Sequence, residues 1–316
     1  MEPSFDLDAA SAVAEELFGV RAAAQPLPSE RDQNFLLKEG ADQKFVLKIA
    51  GSQEDPAFLE AQNELLKYIA GQTSFTPRLV PTTAGEELAR VRAEDGTTHF
   101  VRLVRYLPGV PLAKIESHSD ELLRDLGSKL GQFDRALAEF DHAAFHRDFH
   151  WDLANGNRVV EKFAHLIPDP SLREVVLKCR LDAQPDLRRS VIHGDANDYN
   201  VLVDPDTMTV SGLIDFGDAI YSYTAGDLAI AVAYVVLDKH DPIAAAWRVI
   251  DGYTSECPLL ENEFDVLWRL VLLRLAMSAC LAVYQQRLRP ENDYLLISQR
   301  LIRDNLPRLW EMDLRR

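Results

Sequence analysis

Two short apolar runs, Val201-Leu202-Val203 and Val210 to Ile214, stand on either side of the turn-formers Asp204, Pro205 and Asp206. That spacing confines the segment to an antiparallel hairpin. Closing the hairpin brings Asn200, just before its first strand, to the same end as Asp215, just after its second. Upstream lies His193-Gly194-Asp195-Ala196-Asn197-Asp198-Tyr199-Asn200, and downstream Ile214-Asp215-Phe216-Gly217-Asp218. A carboxylate shortly before an Asn, with a second carboxylate across a hairpin, is the pattern that phosphoryl transfer requires. Asp195 is placed to accept the proton of an attacking hydroxyl. Asn200 and Asp215 offer oxygen ligands to Mg²⁺, the ion that bridges the phosphates of a nucleoside triphosphate. Any one of these residues alone is an ordinary loop carboxylate or turn amide. Together they point to chemistry.

Composition bounds the partners. With 316 residues, 47% hydrophobic and 27% charged, the chain can bury a substantial core and form two lobes. A formal charge of −16 argues against nucleic acid, whose phosphates call for clustered Lys and Arg. It suits a small cationic or zwitterionic substrate, although acidity also serves solubility. Cys179, Cys257 and Cys280 are widely spaced and form no C-x-x-C pattern, so they indicate neither a disulfide framework nor a zinc site. Reduced thiols and an amino terminus without a basic start or apolar signal core imply a cytoplasmic protein. Val266 to Tyr284 is the most apolar long run, but Arg269 and Arg274 interrupt it. A buried helix is expected there, with no membrane span.

Along the chain, Asp8 to Phe18 has a helical pattern stopped by Gly19. Phe35-Leu36-Leu37 and Lys44 to Ile49 read as strands around the turn Glu39-Gly40-Ala41-Asp42. Lys48 lies on the second, where it matches the strand lysine that pairs nucleotide phosphates in protein kinases. Val46 shares its face by strand alternation and is expected over the base. The next helix, Ala57 to Ile69, carries Glu60 and Glu64 on one face, with Gln62 in a competing register. Glu60, early in the helix, is the preferred partner for Lys48. Strands at Glu87 to Arg92 and His99 to Tyr106 complete a small β-rich lobe, and Leu107-Pro108-Gly109 marks a hinge. The expected division is therefore 1–106, a nucleotide-binding lobe, and 107–316, a lobe with the catalytic loop, metal site and substrate pocket. The base is expected against the hinge near Val104 to Leu107, Tyr106 included, and the active site in the cleft between the lobes.

Beyond the hinge the pattern turns helical: Asp120 to Ala138, Pro170 to Asp182, Gly226 to Leu237, Pro242 to Tyr253, Glu261 to Arg287 and Tyr294 to Trp310. The fold class is thus α+β, a small β-rich lobe followed by a larger, mainly α one. Two decoys need weighing. His146-Arg147-Asp148 matches a kinase catalytic-loop triplet, but Leu153 stands where Asn should follow, so it is assigned to lobe structure, with Trp151 or Asp152 as candidate substrate-pocket residues. Val203-Asp204-Pro205-Asp206-Thr207 superficially matches a phosphatase strand end and is better read as the hairpin turn. There is no G-x-x-x-x-G-K-[ST] loop and no G-x-G-x-x-G, so neither a Walker-type ATPase nor a dinucleotide-binding domain is supported. A eukaryotic-type protein kinase would add a Gly-rich loop and an A-P-E segment, and neither is present.

These residues resemble the aminoglycoside phosphotransferase and choline kinase superfamily, small-molecule kinases with a two-lobed, protein-kinase-like fold. Within it, Leu27 to Phe35, Val46 to Ile49, Ala61-Gln62-Asn63, His193 to Asn200 and Ile214 to Asp218 look most like the hydroxylysine kinase branch. The resemblance implies that Ser29 to Asn34 takes the place of the Gly-rich loop, with Ser29 and Asn34 contacting phosphates. It implies ATP or GTP as co-substrate with Mg²⁺; the branch favours GTP, and the sequence leaves the base open. The implied acceptor is a small hydroxylated amine or amino acid such as 5-hydroxylysine or ethanolamine, its ammonium attracted by Asp198 and Asp218. Two other readings stay in play: a nucleotide-binding pseudokinase, and an aminoglycoside-modifying phosphotransferase. The chain also resembles the amino-terminal kinase domain of large bacterial proteins bearing a pyridoxal-phosphate-dependent aminotransferase-like domain, which leaves a covalent fusion open.

Overall fold

The first helix, α1 (Leu7–Phe18), is delimited by its own sequence. The Asp6 side chain accepts a hydrogen bond from the Ala9 amide at one end, and Gly19 turns left-handed, φ +69°, at the other. The structure, a computed structural model, describes residues 3–29, 32–40, 43–288 and 298–315. Two compact units divide it, Met1–Pro108 and Gly109–Arg316.

In the first unit the strands are β1 (Ala24–Leu27), β2 (Gln33–Glu39), β3 (Gln43–Ile49), β4 (Leu79–Val80), β5 (Ala89–Arg92) and β6 (Thr98–Arg105). They form one antiparallel sheet in the order β1-β2-β3-β6-β4, with β5 also on β6. Strand alternation fixes its two faces. Phe45, Leu47 and Ile49 of β3 are buried with Phe35, Leu37, Val101 and Leu103 against Ala10, Val13, Ala14 and Phe18 of α1. Val46 and Lys48 point to the other face and are half-buried. Helix α2 (Pro56–Ala70), capped by Asp55, lies on that face. Its Gln62 and Asn63 accept hydrogen bonds from the buried Arg102, the residue directly across β6 from Lys48. Strand β1, four residues interrupted by Gln25 and Pro26, and strand β4, two residues, are too short to have been expected. The turn residues Ala41 and Asp42 lie outside the described residues.

The second unit opens with β7 (Val110–Pro111), then α3 (Asp120–Ala136), α4 (Gly156–Phe163), α5 (Pro170–Lys178), β8 (Arg189–Ile192), β9 (Val201–Asp204), β10 (Thr209–Leu213), β11 (Ile220–Tyr223), α6 (Gly226–Val235), α7 (Pro242–Thr254), α8 (Glu261–Leu288) and α9 (Gln299–Trp310). The hairpin expected from sequence is present as β9 and β10, extended by β7 into a three-stranded sheet, while β8 and β11 make a separate pair. Helix α5 ends at Lys178, short of the expected Asp182, because the Asn157 side chain captures both the amide and the carbonyl of Leu181. Tyr294 to Ile297, the start expected for the last helix, lie outside the described residues. Helix α8 has the length and apolarity of a membrane span, mean hydropathy 1.9, yet 83% of that window is buried inside the protein. The fold class is α+β: a small antiparallel sheet unit and a larger helical one.

Candidate active site

The β8–β11 pair frames the catalytic loop. Ile192 pairs with Ile220, so the chain leaving β8 at His193 runs beside the chain entering β11 at Asp218. The approach is close enough that Gly194, at φ +78°, has no room for a side chain: a Cβ there would lie 2.4 Å from the Asp218 carbonyl oxygen. His193 is fully buried, its ring edge-on to Phe216 at 4.7 Å. Its Nε2–H donates to the Ile214 carbonyl at 3.0 Å, while Nδ1 accepts from the Asp195 amide at 3.3 Å, a pairing that holds the ring in one orientation. One imidazole thereby ties the catalytic loop to the far end of the hairpin.

Beneath the loop is a residue that sequence reading missed. Asp227, in the first turn of α6 and fully buried, accepts from the amides of His193 at 2.7 Å and Gly194 at 2.8 Å. Beside it, burial and the Asp227 charge hold the Asp134 carboxyl well above its usual range. Asp134 Oδ2 takes a bond from Tyr253 Oη at 2.6 Å, while its Oδ1 is buried without a hydrogen-bond partner. Only the arrival of α3, α6 and α7 at one place reveals this cluster; in the sequence each Asp is an isolated helix residue.

The Asp195 carboxylate is held from both sides. Oδ2 accepts from Asn197 Nδ2 at 2.9 Å and Asn200 Nδ2 at 2.8 Å, and Oδ1 from Arg274 Nη2 at 2.6 Å. Burial pushes the carboxyl up to about 6 against the pull of Arg274. Asn200 also gives Nδ2 to the Asp195 carbonyl at 2.9 Å. With Nδ2 committed twice, the amide turns its Oδ1 away from Asp195. Asn200 and Asp215 meet as the hairpin predicts, since the Ile214 amide bonds the Asn200 carbonyl at 2.9 Å. Asp215 is exposed and sits in the left-handed region at φ +65°. An amide oxygen and one carboxylate at a hairpin end suit Mg²⁺, which takes few protein ligands and completes its shell with water and phosphate. No cluster of three or more His, Cys, Asp or Glu in metal-binding arrangement occurs among the described residues.

The other candidates are distributed as follows. The Asp198 carboxyl, half-buried near Lys239, is pushed by burial up to about 6, and its carbonyl accepts from the Ala113 amide at 2.9 Å. Asp218 closes the turn after Asp215, and its field reaches both Asp195 and Arg274. Trp151 lies 4.6 Å from the Arg274 guanidinium. The decoy triplet has a task of its own: Arg147 donates to the carbonyls of Gly217 at 3.1 Å and Ala219 at 3.3 Å, bracing the loop after Asp215. In the first unit Lys48 is half-buried opposite Asn34, whose Oδ1 is buried without a hydrogen-bond partner. Tyr106 is half-buried beside Lys44, and Ser29 and Glu60 are exposed. Glu30 and Arg31 of the expected phosphate loop lie outside the described residues.

A model of the phosphotransferase enzyme family matches residues 23–259. The chain belongs to this family. This phosphotransferase is 32% identical to hydroxylysine kinase of Xenopus laevis and, equally, to that of Mus musculus, over 98% of its own length and 91% of theirs. It is 26% identical to homoserine kinase of Zymomonas mobilis over 78% of its length and 77% of the relative. Its fold is that of amicoumacin kinase, TM-score 0.73 at 14% identity over 98% and 97% of the two chains. It also matches a microcompartment-associated aminopropanol kinase, TM-score 0.70 at 18% identity over 98% and 99%. The phosphotransferase is a small-molecule kinase acting on a hydroxyl group.

Proposed function

We propose that this phosphotransferase moves the γ-phosphoryl group of ATP or GTP to the hydroxyl of a small hydroxy amino acid or amino alcohol, with 5-hydroxylysine the leading acceptor. The near-full-length similarity to hydroxylysine kinases carries the acceptor. In this reading Asp195 accepts the hydroxyl proton, and its two-sided hold supports that role because the carboxylate is aimed before the acceptor arrives. Asn200 Oδ1 and Asp215 hold Mg²⁺, which when bound neutralises charge on the β- and γ-phosphates. Lys48, with Ser29 and Asn34, contacts phosphate oxygens; Val46 and Tyr106 border the base; Glu60 orients Lys48 from α2. Asp198, Asp218 and Trp151 line the acceptor side, where the two carboxylates attract an ammonium.

The pseudokinase alternative is disfavoured because Lys48, Asp195, Asn200 and Asp215 are all present. The deciding experiment is nucleoside-diphosphate release with ATP and with GTP over a panel of 5-hydroxylysine, ethanolamine, 1-amino-2-propanol, homoserine, choline and an aminoglycoside. Highest kcat/KM for 5-hydroxylysine is expected. Preference for choline or the aminoglycoside would remove the acceptor assignment and leave phosphoryl transfer standing.

A further inference from the structure

Arg274 lies near the middle of α8, among Leu272, Leu273 and Leu275, and its side chain is 2% exposed. Taking a guanidinium out of water costs several kcal/mol unless partners are built around it. Here they are. Nη2 meets Asp195 Oδ1 at 2.6 Å and Nη1 the Trp151 carbonyl at 3.4 Å. The Trp151 ring, at 4.6 Å, and the Tyr234 ring, at 5.8 Å, flank the cation. Nε is buried without a hydrogen-bond partner, so the side chain is set for its tip and not for complete pairing. A residue serving the packing of α8 alone needs no charge.

We propose that Arg274 is the positioning residue of the catalytic carboxylate: it fixes Asp195 Oδ1 so that the Asp195 carboxylate and the Asn200 amide keep the orientation that phosphoryl transfer uses. The inference rests on the phosphotransferase reading above. Asp195 Oδ2 already takes two amides, and Asn200 supplies one of them while turning its own oxygen outward. Without a donor on Oδ1 the carboxylate rotates, and the Asn200 amide, bonded to it, rotates too. A rigid, permanently charged fork stops that rotation, whereas a lysine ammonium offers the charge without the planar geometry. Because the guanidinium is sealed from solvent, it acts through Asp195 and not by receiving the acceptor's own carboxylate.

Steady-state kinetics of the full chain, with 5-hydroxylysine and with ethanolamine as acceptors, test this. Arg274→Met should lower kcat about 10²-fold with both, leaving KM for nucleotide and acceptor within about twofold. Arg274→Lys should recover about tenfold of that loss, and neither change should cost more in an Asp195→Asn background, since a residue acting through Asp195 has nothing left to position. If thermal melting shows that Arg274→Met does not fold, Arg274→Lys carries the test, and a folded Lys variant with wild-type kcat overturns the assignment. Wild-type kcat in Arg274→Met overturns it as well. So does a loss confined to KM for 5-hydroxylysine, which would make Arg274 a carboxylate receptor. A wild type that phosphorylates neither acceptor overturns the acceptor assignment above and not the placing of Arg274, which the same variants then test with the acceptor the panel prefers.

Discussion

At the scale of single residues, Asp195 is the most exposed to test. Asp195→Asn keeps the hydrogen-bonding outline and removes the base, so turnover should fall on the order of 10²–10⁴-fold with nucleotide affinity nearly unchanged. Retention of more than about a tenth of the rate would exclude Asp195 from proton transfer. Lys48→Ala and Asp215→Ala should behave otherwise, each weakening Mg²⁺-nucleotide binding about tenfold or more in calorimetric titration. Unchanged affinity in both would withdraw the phosphate and metal assignments. Asp195, Asn200 and Asp215 were legible in the sequence because a hairpin sets their spacing locally. Arg274 was legible only as a charge interrupting an apolar run, since its contact with Asp195 spans 79 positions. Asp227 gave no signal at all, because what marks it is the pair of amides above it.

Elements show the same division between local and distant causes. The hairpin of β9 and β10, α1 with its Gly19 stop, and the strand bearing Lys48 follow from periodicity and turn chemistry. The strands β7, β8 and β11 did not, being two to four residues long and stabilised by partners elsewhere in the chain. Helices α3 and α7 cross so closely that a Cβ on Gly252 would lie 2.0 Å from the Arg124 carbonyl oxygen. Gly252→Ala should therefore destabilise the protein by about 1–3 kcal/mol in denaturant unfolding, and an unchanged midpoint would refute the crossing. Under the catalytic loop, Asp134 has its folded-state pKa raised. The sign is that of a group stabilising while protonated: its contribution is present below the unfolded carboxylate pKa of about 4 and is lost as pH rises through the folded value. Asp134→Asn, which keeps an acceptor for Tyr253, should flatten the decline of melting temperature as pH rises above about 4. An identical slope in both proteins would place the proton elsewhere.

For the molecule as a whole, two compact units and a buried α8 accord with a chain whose most apolar run is an internal core helix. Ligand linkage offers a global readout: Mg²⁺ with its preferred nucleotide at about 100 times Kd should stabilise the fold by about 2.7 kcal/mol, seen as a rise in melting temperature. Asp215→Ala should lose that rise, and if it does not, the nucleotide is held without the proposed metal ligand. The seam between the units has a practical corollary for anyone dividing the chain. Val110 pairs with Val203 and Pro111 with Leu202, and the Ala113 amide reaches the Asp198 carbonyl. The first residues after the seam are thus woven into the fabric around Asn200. A fragment opening at Leu112 would cut that selvedge and leave β9 a raw edge, whereas one opening at Gly109 keeps it whole.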